Sequence, residues 1–122
     1  MDIREIGVIG LSSDRIRYLS EQQKVIARNV ANADTPGYKA LEMRPFSEVL
    51  RGSKVTQPAR THPGHLLGTN SVGSAAARLD RTSPASPNGN NVVLDRQIAN
   101  SAEAQIGHSL ATSIYKKATG LV

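Results

Sequence analysis

Two histidines in the middle of the chain are the first residues whose spacing could support chemistry. His62 and His65 flank Pro63 and Gly64 in the stretch "THPGH", a separation that one metal ion could bridge. The chain contains no cysteine, and no carboxylate lies close in sequence to complete a set of ligands. We therefore expect two solvated loop histidines, no metal site and no cofactor.

The candidate catalytic side chains are equally isolated. Ser71 and Ser74 lie in "NSVGSAAA", which lacks the G-x-S-x-G pattern, and no His/Asp pair is placed to activate either hydroxyl. No Walker or dinucleotide-binding pattern occurs. His108 and Tyr115 fall in a helical pattern near the C-terminus, where we expect both to pack. The sequence predicts a protein that is not an enzyme.

The charge of the chain is positive but diffuse. Lys and Arg outnumber Asp and Glu by 15 to 10, giving a net charge of +5. Nucleic-acid-binding proteins usually concentrate basic residues on one face or in one run, whereas Lys116-Lys117 is the only adjacent basic pair. We expect no nucleic-acid ligand. A small basic nucleic-acid-binding module stays open as an alternative, and binding that weakens steeply as salt rises would reveal it.

Neither a membrane segment nor a secretory signal is visible. No apolar run approaches the roughly 20 residues that span a bilayer, so we expect no direct membrane insertion. The start, "MDIREIGVIGLSSDR", carries early charges and lacks the uninterrupted apolar region of a cleavable signal. If the protein leaves the cytoplasm, another export route must carry it.

The prolines divide the chain into three parts, because all six lie in its central region and proline interrupts helices. We predict an N-terminal helix with an asparagine-rich turn over 1–35 and a C-terminal helix over 91–122. The middle segment, 36–90, is predicted to be loop-rich and partly disordered. It contains a short extended piece and one apolar turn at 46–50, while 53–90 shows no periodicity and is predicted as loop.

The N-terminal helix is predicted from about Ser12 to Ala33, with Ser12 or Ser13 as its cap. Its apolar positions alternate in spacings of three and four, the pattern of a coiled-coil seam. A monomeric helical hairpin would use the same stripe, so the pattern does not establish self-assembly. The stripe consists of Ile16, Leu19, Gln23, Ile26, Val30 and Ala33.

The C-terminal helix is predicted from about Val92 to Thr119, with Asn90 or Asn91 as its cap. Its apolar residues recur every four positions, so the row winds around the helix and the stripe is broad. Small residues beside the row would let other helices approach closely. The row consists of Leu94, Ile98, Ala102, Ile106, Leu110 and Ile114.

Together these patterns predict an all-α protein whose terminal helices pack as a coiled-coil-like hairpin. Aromatic residues make up only 3% of the chain, so large core residues are scarce and we expect neighbouring subunits to complete the burial. Two unlike stripes suit heterologous contacts between subunits. The residues expected at subunit contacts are Ile16, Leu19, Ile26, Val30, Ile98, Ile106, Leu110 and Ile114.

The stretch "NVANADTPGYKA" is predicted to end the first helix in a defined turn. Proline presets φ and glycine supplies a positive φ at the two central positions of a type II turn. Asn29 and Asn32 lie one helical turn apart and can bind open backbone groups, and Asn32 tolerates a left-handed conformation. Tyr38 suits packing against a neighbour. The motif residues are Asn29, Asn32, Thr35, Pro36, Gly37 and Tyr38.

This motif also supports a family assignment. "ARNVANADTPGYKA" resembles the N-terminal motif of flagellar axial proteins. "FSEVL" after it, with "PNGNNVVLDRQ" and "IYKKATGL" towards the C-terminus, resembles the flagellar basal-body rod protein family. The sequences of these segments are most similar to those of one proximal rod protein, and a sibling proximal rod protein is the alternative. The matching motif positions are Ala27, Asn29, Ala31, Asn32, Thr35, Gly37 and Tyr38.

The resemblance implies a structural rod subunit whose terminal helices pack into a helical tube, part of the axial drive shaft needed for motility. Implied partners are the chain itself, other rod proteins, the flagellar export gate and the MS-ring/rod junction protein. The implied location is the rod in the periplasmic space, reached through type III export without a cleaved signal.

The family's last helix often runs beyond "KKATGL", so we expect shorter axial contacts here or contacts supplied by a partner. A secretion chaperone or effector is a further alternative; it would be stably helical in isolation.

Overall fold

The computed structural model of the chain describes residues 2–55 and 76–120. The elements in chain order are helix α1 (Ile3–Ala31), strand β1 (Leu41–Met43), helix α2 (Phe46–Val55), strand β2 (Ala77–Leu79) and helix α3 (Leu94–Thr119). Helices α1 and α3 pack against each other, and β1 lies against α1 and pairs antiparallel with β2. The prediction of a mostly helical fold with packed terminal helices is confirmed.

Helix α1 begins at Ile3 instead of Ser12. Asp2 is its N-cap residue, and the Asp2 backbone N–H donates to Glu5 Oε2 at 3.3 Å. Ser12 lies inside the helix, where its hydroxyl donates to the carbonyl oxygen of Val8 at 2.6 Å. A serine that bonds the carbonyl four residues earlier is accommodated within a helix, so the predicted serine cap is wrong.

Helix α3 begins after Val93, which occupies the cap position without a side-chain hydrogen bond. The predicted caps, Asn90 and Asn91, bind other parts of the chain, as described below. The predicted end at Thr119 is confirmed. Gly120 closes the helix because its φ of 73° is the left-handed conformation common after a helix C-terminus.

Strand β1, helix α2 and strand β2 occupy the described parts of the middle segment. The predicted extended piece is β1, and the predicted apolar turn continues into the ten-residue α2. The loop prediction is wrong at β2, since three residues are too few to show strand alternation. The strands pair with Glu42 opposite Arg78. Those two side chains form an exposed ion pair, with Arg78 Nε 2.9 Å from Glu42 Oε1.

Residues 56–75 lie outside the described residues. His62, His65, Ser71 and Ser74 fall there, as does much of the predicted disorder, so the corresponding predictions stay predictions. Within 2–55 and 76–120, no group of three or more acidic or histidine side chains could hold a metal ion. Across the same two ranges, no helix combines the length and apolar character needed to cross a bilayer.

The core is small and lies where α1 meets α3 and the sheet. Leu19 projects from α1 against Gly107 of α3, where an added Cβ would lie 3.2 Å from Leu19 Cδ1. Glycine at this position therefore lets the two helices approach closely. The buried cluster is Tyr18, Leu19, Ala76 and Ala104, with Met43, Phe46 and Val49 packed against it.

Candidate functional site

Asn29 organises the turn that follows α1, and its side chain is completely buried. Its Nδ2 donates to the carbonyl oxygen of Leu41 at 2.8 Å and to Gln97 Oε1 at 3.1 Å. Its Oδ1 accepts from the Leu41 N–H at 2.9 Å and from the Tyr38 hydroxyl at 3.1 Å. Both donors and both acceptor positions of the amide are thereby used. One side chain joins α1, β1 and α3.

The turn itself has the predicted geometry at its centre. Gly37 has a φ of 73°, and the Tyr38 N–H donates to the carbonyl oxygen of Thr35 at 3.2 Å. Asn32 Nδ2 donates to the Arg28 carbonyl oxygen at 2.9 Å, but that oxygen also accepts the Asn32 backbone N–H at 3.2 Å, so it is not an open group. The left-handed conformation predicted for Asn32 is wrong, because its φ is −107° and its ψ 16°.

The loop before α3 docks onto this turn. The Gly37 N–H donates to the carbonyl oxygen of Asn88 at 2.8 Å. Asn90 Nδ2 donates to the carbonyl oxygens of Asn32 and Thr35, both at 2.8 Å. Those carbonyl groups lie beyond the last helical turn and lack helix partners. Asn90 thus closes α1 instead of capping α3.

Asp80 anchors the other side of the same loop. It accepts hydrogen bonds from the N–H and hydroxyl groups of Thr82 and Ser83, and Arg96 Nη1 lies 3.7 Å from its Oδ2. Burial by itself raises the pKa of Asp80, but the hydrogen bonds from Ser83 and Thr82 outweigh it and lower the pKa to about 2. Asn91 Nδ2 donates to the Asp80 carbonyl oxygen at 2.9 Å.

Backbone hydrogen bonds join these residues into one feature, which we call the polar node. The Asn91 N–H donates to the Tyr38 carbonyl oxygen, and the Thr35 carbonyl oxygen accepts from both Asn90 Nδ2 and the Tyr38 N–H. Sequence patterns indicated Asn29 and Tyr38 as part of the turn but gave no role to Asp80 or Gln97. Their contacts join residues far apart in the sequence, so no local pattern could have paired them. The polar node consists of Asn29, Tyr38, Asp80, Asn90, Asn91 and Gln97.

On α1, the predicted contact residues are divided between the interior and the surface. Leu19 and Ile26 are buried within the chain, Ile16 is half-buried and Val30 is exposed. The buried face lies slightly to one side of the predicted stripe and includes polar and aromatic residues that an apolar pattern omits. The other buried residues on α1 are Ser12, Tyr18, Val25 and Asn29.

On α3, the large aliphatic residues are exposed, although Ile114 also lines a groove with Arg4 and Val8 of α1. Each is between 41% and 71% exposed, although a monomeric hairpin could have buried them. The buried residues of α3 are instead Gln97, Ala104 and Ala111. Their seven-residue spacing is the signal that could have located this inner face. We call the exposed set the outward row of α3: Leu94, Ile98, Ile106, Leu110 and Ile114.

The outward row has the character of a protein contact surface. Groups of large exposed apolar side chains mark sites of protein association. His108 and Tyr115, expected to pack, are half-buried on the same helix. The polar node fixes the start of α3 against α1, because Gln97 of α3 bonds Asn29 of α1. The site therefore combines an exposed apolar row on α3 with a buried polar anchor near the start of that helix.

Comparison with known proteins identifies the class. Residues 18–39, which contain Asn29 and the turn motif, match the family described as flagella basal body rod protein. A flagellar basal body rod protein FlgB of Agrobacterium fabrum is 30% identical over 118 residues, covering 93% of this chain and 88% of the relative. FlgB of Borrelia hermsii is 32% identical over 124 residues, covering 93% and 90%. FlgB of Salmonella typhimurium is 29% identical over 106 residues, covering 78% and 75%.

The chain belongs to the flagellar basal body rod protein family. Within that family it is similar to the members named FlgB, and the similarity extends over both terminal helices and the segment between them.

Proposed function

We propose that the chain is a structural subunit of the proximal rod of the bacterial flagellum, part of the axial drive shaft that motility requires. The family is one of structural rod proteins, and we propose no catalytic role. The outward row of α3 is the observation that carries the proposal. Its large aliphatic side chains are uncovered in the single chain, and polymerisation through the terminal helices would remove them from water.

The fold supports this role by presenting the row in one geometry. A buried polar group whose hydrogen bonds are all made favours one arrangement over alternatives, because any other arrangement leaves it unsatisfied. Asn29 of α1 is such a buried group. Its hydrogen bond to Gln97 of α3 is lost in any other arrangement of the two helices. A subunit that repeats along a helical tube needs such a fixed contact surface, since each copy must meet the next in the same way.

The exposure of each predicted contact residue in the single chain determines the role that we propose for it. The exposed or half-buried members would meet neighbouring subunits directly, whereas Leu19 and Ile26 would support them by holding the hairpin together. The proposed direct contacts are Ile16, Val30, Ile98, Ile106, Leu110 and Ile114.

Partners and location follow from the family. Other flagellar rod and basal-body proteins are the partners that family membership implies. We propose further contacts with the flagellar export gate and the MS-ring/rod junction protein. We also propose type III export without a cleaved signal and a place in the rod within the periplasmic space.

A single substitution in the outward row tests the proposed function. In the bacterium that encodes the chain, Leu110→Asp should abolish rod assembly and swimming, because it places a charge in a contact that must be apolar. The purified variant should retain the wild-type helical signal and unfolding midpoint, since Leu110 is 61% exposed.

Gln105→Asp is the matched control, because Gln105 is exposed on the same helix but lies outside the row. It should assemble and swim normally. A fully motile Leu110→Asp strain would overturn the role of the row. Leu19→Asp is not a suitable test, because a charge at that buried position would disrupt the core of the single chain.

A further inference from the structure

We infer that Asn88 is a site of spontaneous deamidation, which the folded chain protects by docking the loop before α3 onto the turn after α1. An asparagine followed by glycine is especially prone to this reaction, because glycine has no side chain to obstruct its own backbone nitrogen. Asn88 is exposed and is followed by Gly89, and this is the only Asn-Gly pair in the sequence. The inference does not depend on the proposed function.

The reaction needs only the chain and water. The backbone nitrogen of Gly89 loses its proton and attacks Cγ of the Asn88 side chain, forming an N–Cγ bond. The Cγ–Nδ2 bond then breaks, and the leaving nitrogen takes up a proton and departs as ammonia. Water opens the resulting succinimide ring at either of its carbonyl carbons, so the products are aspartate and isoaspartate.

Both ends of the peptide group between Asn88 and Gly89 are hydrogen-bonded. Its N–H donates to the carbonyl oxygen of Ser86 at 2.8 Å, and its carbonyl oxygen accepts from the Gly37 N–H at 2.8 Å. Closing the succinimide ring requires this peptide group to rotate until its nitrogen faces the Asn88 side chain. Rotation would break both hydrogen bonds, so the docked loop opposes ring closure.

The side chain of Asn88 is held as well. Its Oδ1 accepts from the Ser86 hydroxyl and, at 3.1 Å, from the Asn90 N–H. The Ser86 N–H donates to the Asn90 carbonyl oxygen at 2.7 Å, which closes a short hairpin loop. Gly89 ends that loop with a φ of 85°, the left-handed conformation that such loops require. Attack on Cγ would have to disturb these contacts too.

Contacts with the turn after α1 fix the loop in place. Asn90 Nδ2 donates to the carbonyl oxygens of Asn32 and Thr35. Gly89 lies directly against Gly37, since an added Cβ on Gly89 would be 3.3 Å from the Gly37 Cα. The protection therefore exists only when two segments far apart in the sequence have come together, and an unfolded chain lacks it.

The two products would affect the loop differently. Aspartate keeps an oxygen where Asn88 has Oδ1, so it can accept the same hydrogen bonds and the loop can dock. Isoaspartate carries the main chain through its Cβ and Cγ, which lengthens the loop and displaces the carbonyl group that the Gly37 N–H binds. A chain modified before it folds therefore loses a docking contact, whereas a folded chain is spared the reaction.

Deamidation rates of the purified chain test the protection. The wild-type protein would be kept in mildly alkaline buffer, either folded or unfolded in guanidinium chloride, and isoaspartate at position 88 measured by peptide mapping with mass spectrometry. It should form at least about tenfold more slowly in the folded chain, because the reactive conformation is reached only through local opening. Equal rates in the two states would overturn the inference.

Asn90→Ala tests the docking contacts. It removes the hydrogen bonds to Asn32 and Thr35, so the folded variant should form isoaspartate about tenfold faster than the folded wild type. Arg81→Ala is the control, because Arg81 is exposed in the same loop and makes none of the contacts described above. Its rate should equal that of the wild type. A folded Asn90→Ala protein with the wild-type rate would overturn the inference.

Lys39→Ala keeps the test decisive if Asn90→Ala loses the helical signal of the folded chain. Lys39 is exposed, and its Nζ donates to the Gly89 carbonyl oxygen at 2.7 Å. Removing this one contact should raise the rate in the folded chain by about twofold, since an exposed hydrogen bond contributes little. A rate equal to that of Arg81→Ala would show that docking of the loop does not control the reaction.

Discussion

Asn29 shows how much of a local motif is visible in the sequence. Its spacing from Asn32 and the following Pro36-Gly37 predicted that the side chain would bind backbone groups left open at the helix end, whereas it binds the N–H and the carbonyl oxygen of Leu41 in β1. Its bond to Gln97 could not be predicted, because 68 residues separate the two. Tyr38 was expected to suit packing on a neighbour, yet its hydroxyl donates to Asn29 of its own chain.

Replacing the Asn29 amide with a carboxylate should be severely destabilising. Asn29→Asp removes the two N–H donors and places oxygen against the Leu41 carbonyl and Gln97 Oε1 in a buried site. We expect a loss of about 3 kcal/mol in the free energy of unfolding, measured by urea denaturation. Asn100→Asp on α3 is the control and should change it by less than about 0.5 kcal/mol. Equal effects would contradict the role of Asn29.

Asp80 gives the fold a defined acid dependence. Its pKa is lowered from 3.8 to about 2 in the folded chain, so the charged form stabilises folding above pH 3.8. That stabilisation, about 2 kcal/mol, should be lost as the pH falls from 3.8 to 2.

The free energy of unfolding measured between pH 6 and 2 should therefore fall more steeply in the wild type than in Asp80→Asn. The variant should be less stable at pH 6, because it loses acceptors for Thr82 and Ser83. Parallel pH profiles for the two proteins would show that Asp80 is not the titrating group.

At the scale of the elements, periodicity predicted both long helices but not which face of each lies inside. The apolar row of α3 is regular, and the sequence predicted most of its large members at contacts between subunits. Within the chain, however, α1 packs against the small residues of α3. Apolar periodicity does not tell burial within one chain from burial between chains. Leu19 and Ile26 of the α1 stripe, which the sequence predicted at subunit contacts, are buried within the single chain.

Two glycines test the close packing of α1 on α3. Gly10→Ala should stabilise the chain by about 0.5–1 kcal/mol, because it favours the helix and meets nothing within 4 Å. Gly107→Ala should give a smaller gain, since its Cβ would lie 3.2 Å from Leu19 Cδ1, and Gly107→Val should destabilise. The midpoints of thermal unfolding of the three variants give their order of stability. A stabilising Gly107→Val would mean that α3 does not approach α1 at this point.

At the scale of the whole molecule, the sequence predicted the helical fold, the turn and the family. The strand β2, the contacts of the polar node and the outward direction of the α3 row required the structure. The first two depend on residues distant in sequence. The third depends on how few large side chains are available to cover α3, because the described core is built around only a few residues beside Leu19. A chain with so little internal cover has its largest apolar helix face available for other subunits.

The accessibility of residue 106 tests this account most directly. Ile106→Cys would be the only cysteine in the chain, and Ile106 is 71% exposed. A maleimide reagent should label it rapidly in the purified, free protein and very slowly in intact basal bodies, whereas Arg81→Cys should be labelled at a similar rate in both. Rapid labelling of Ile106→Cys in basal bodies that contain the protein would show that the row stays in water, which contradicts its role as the assembly surface.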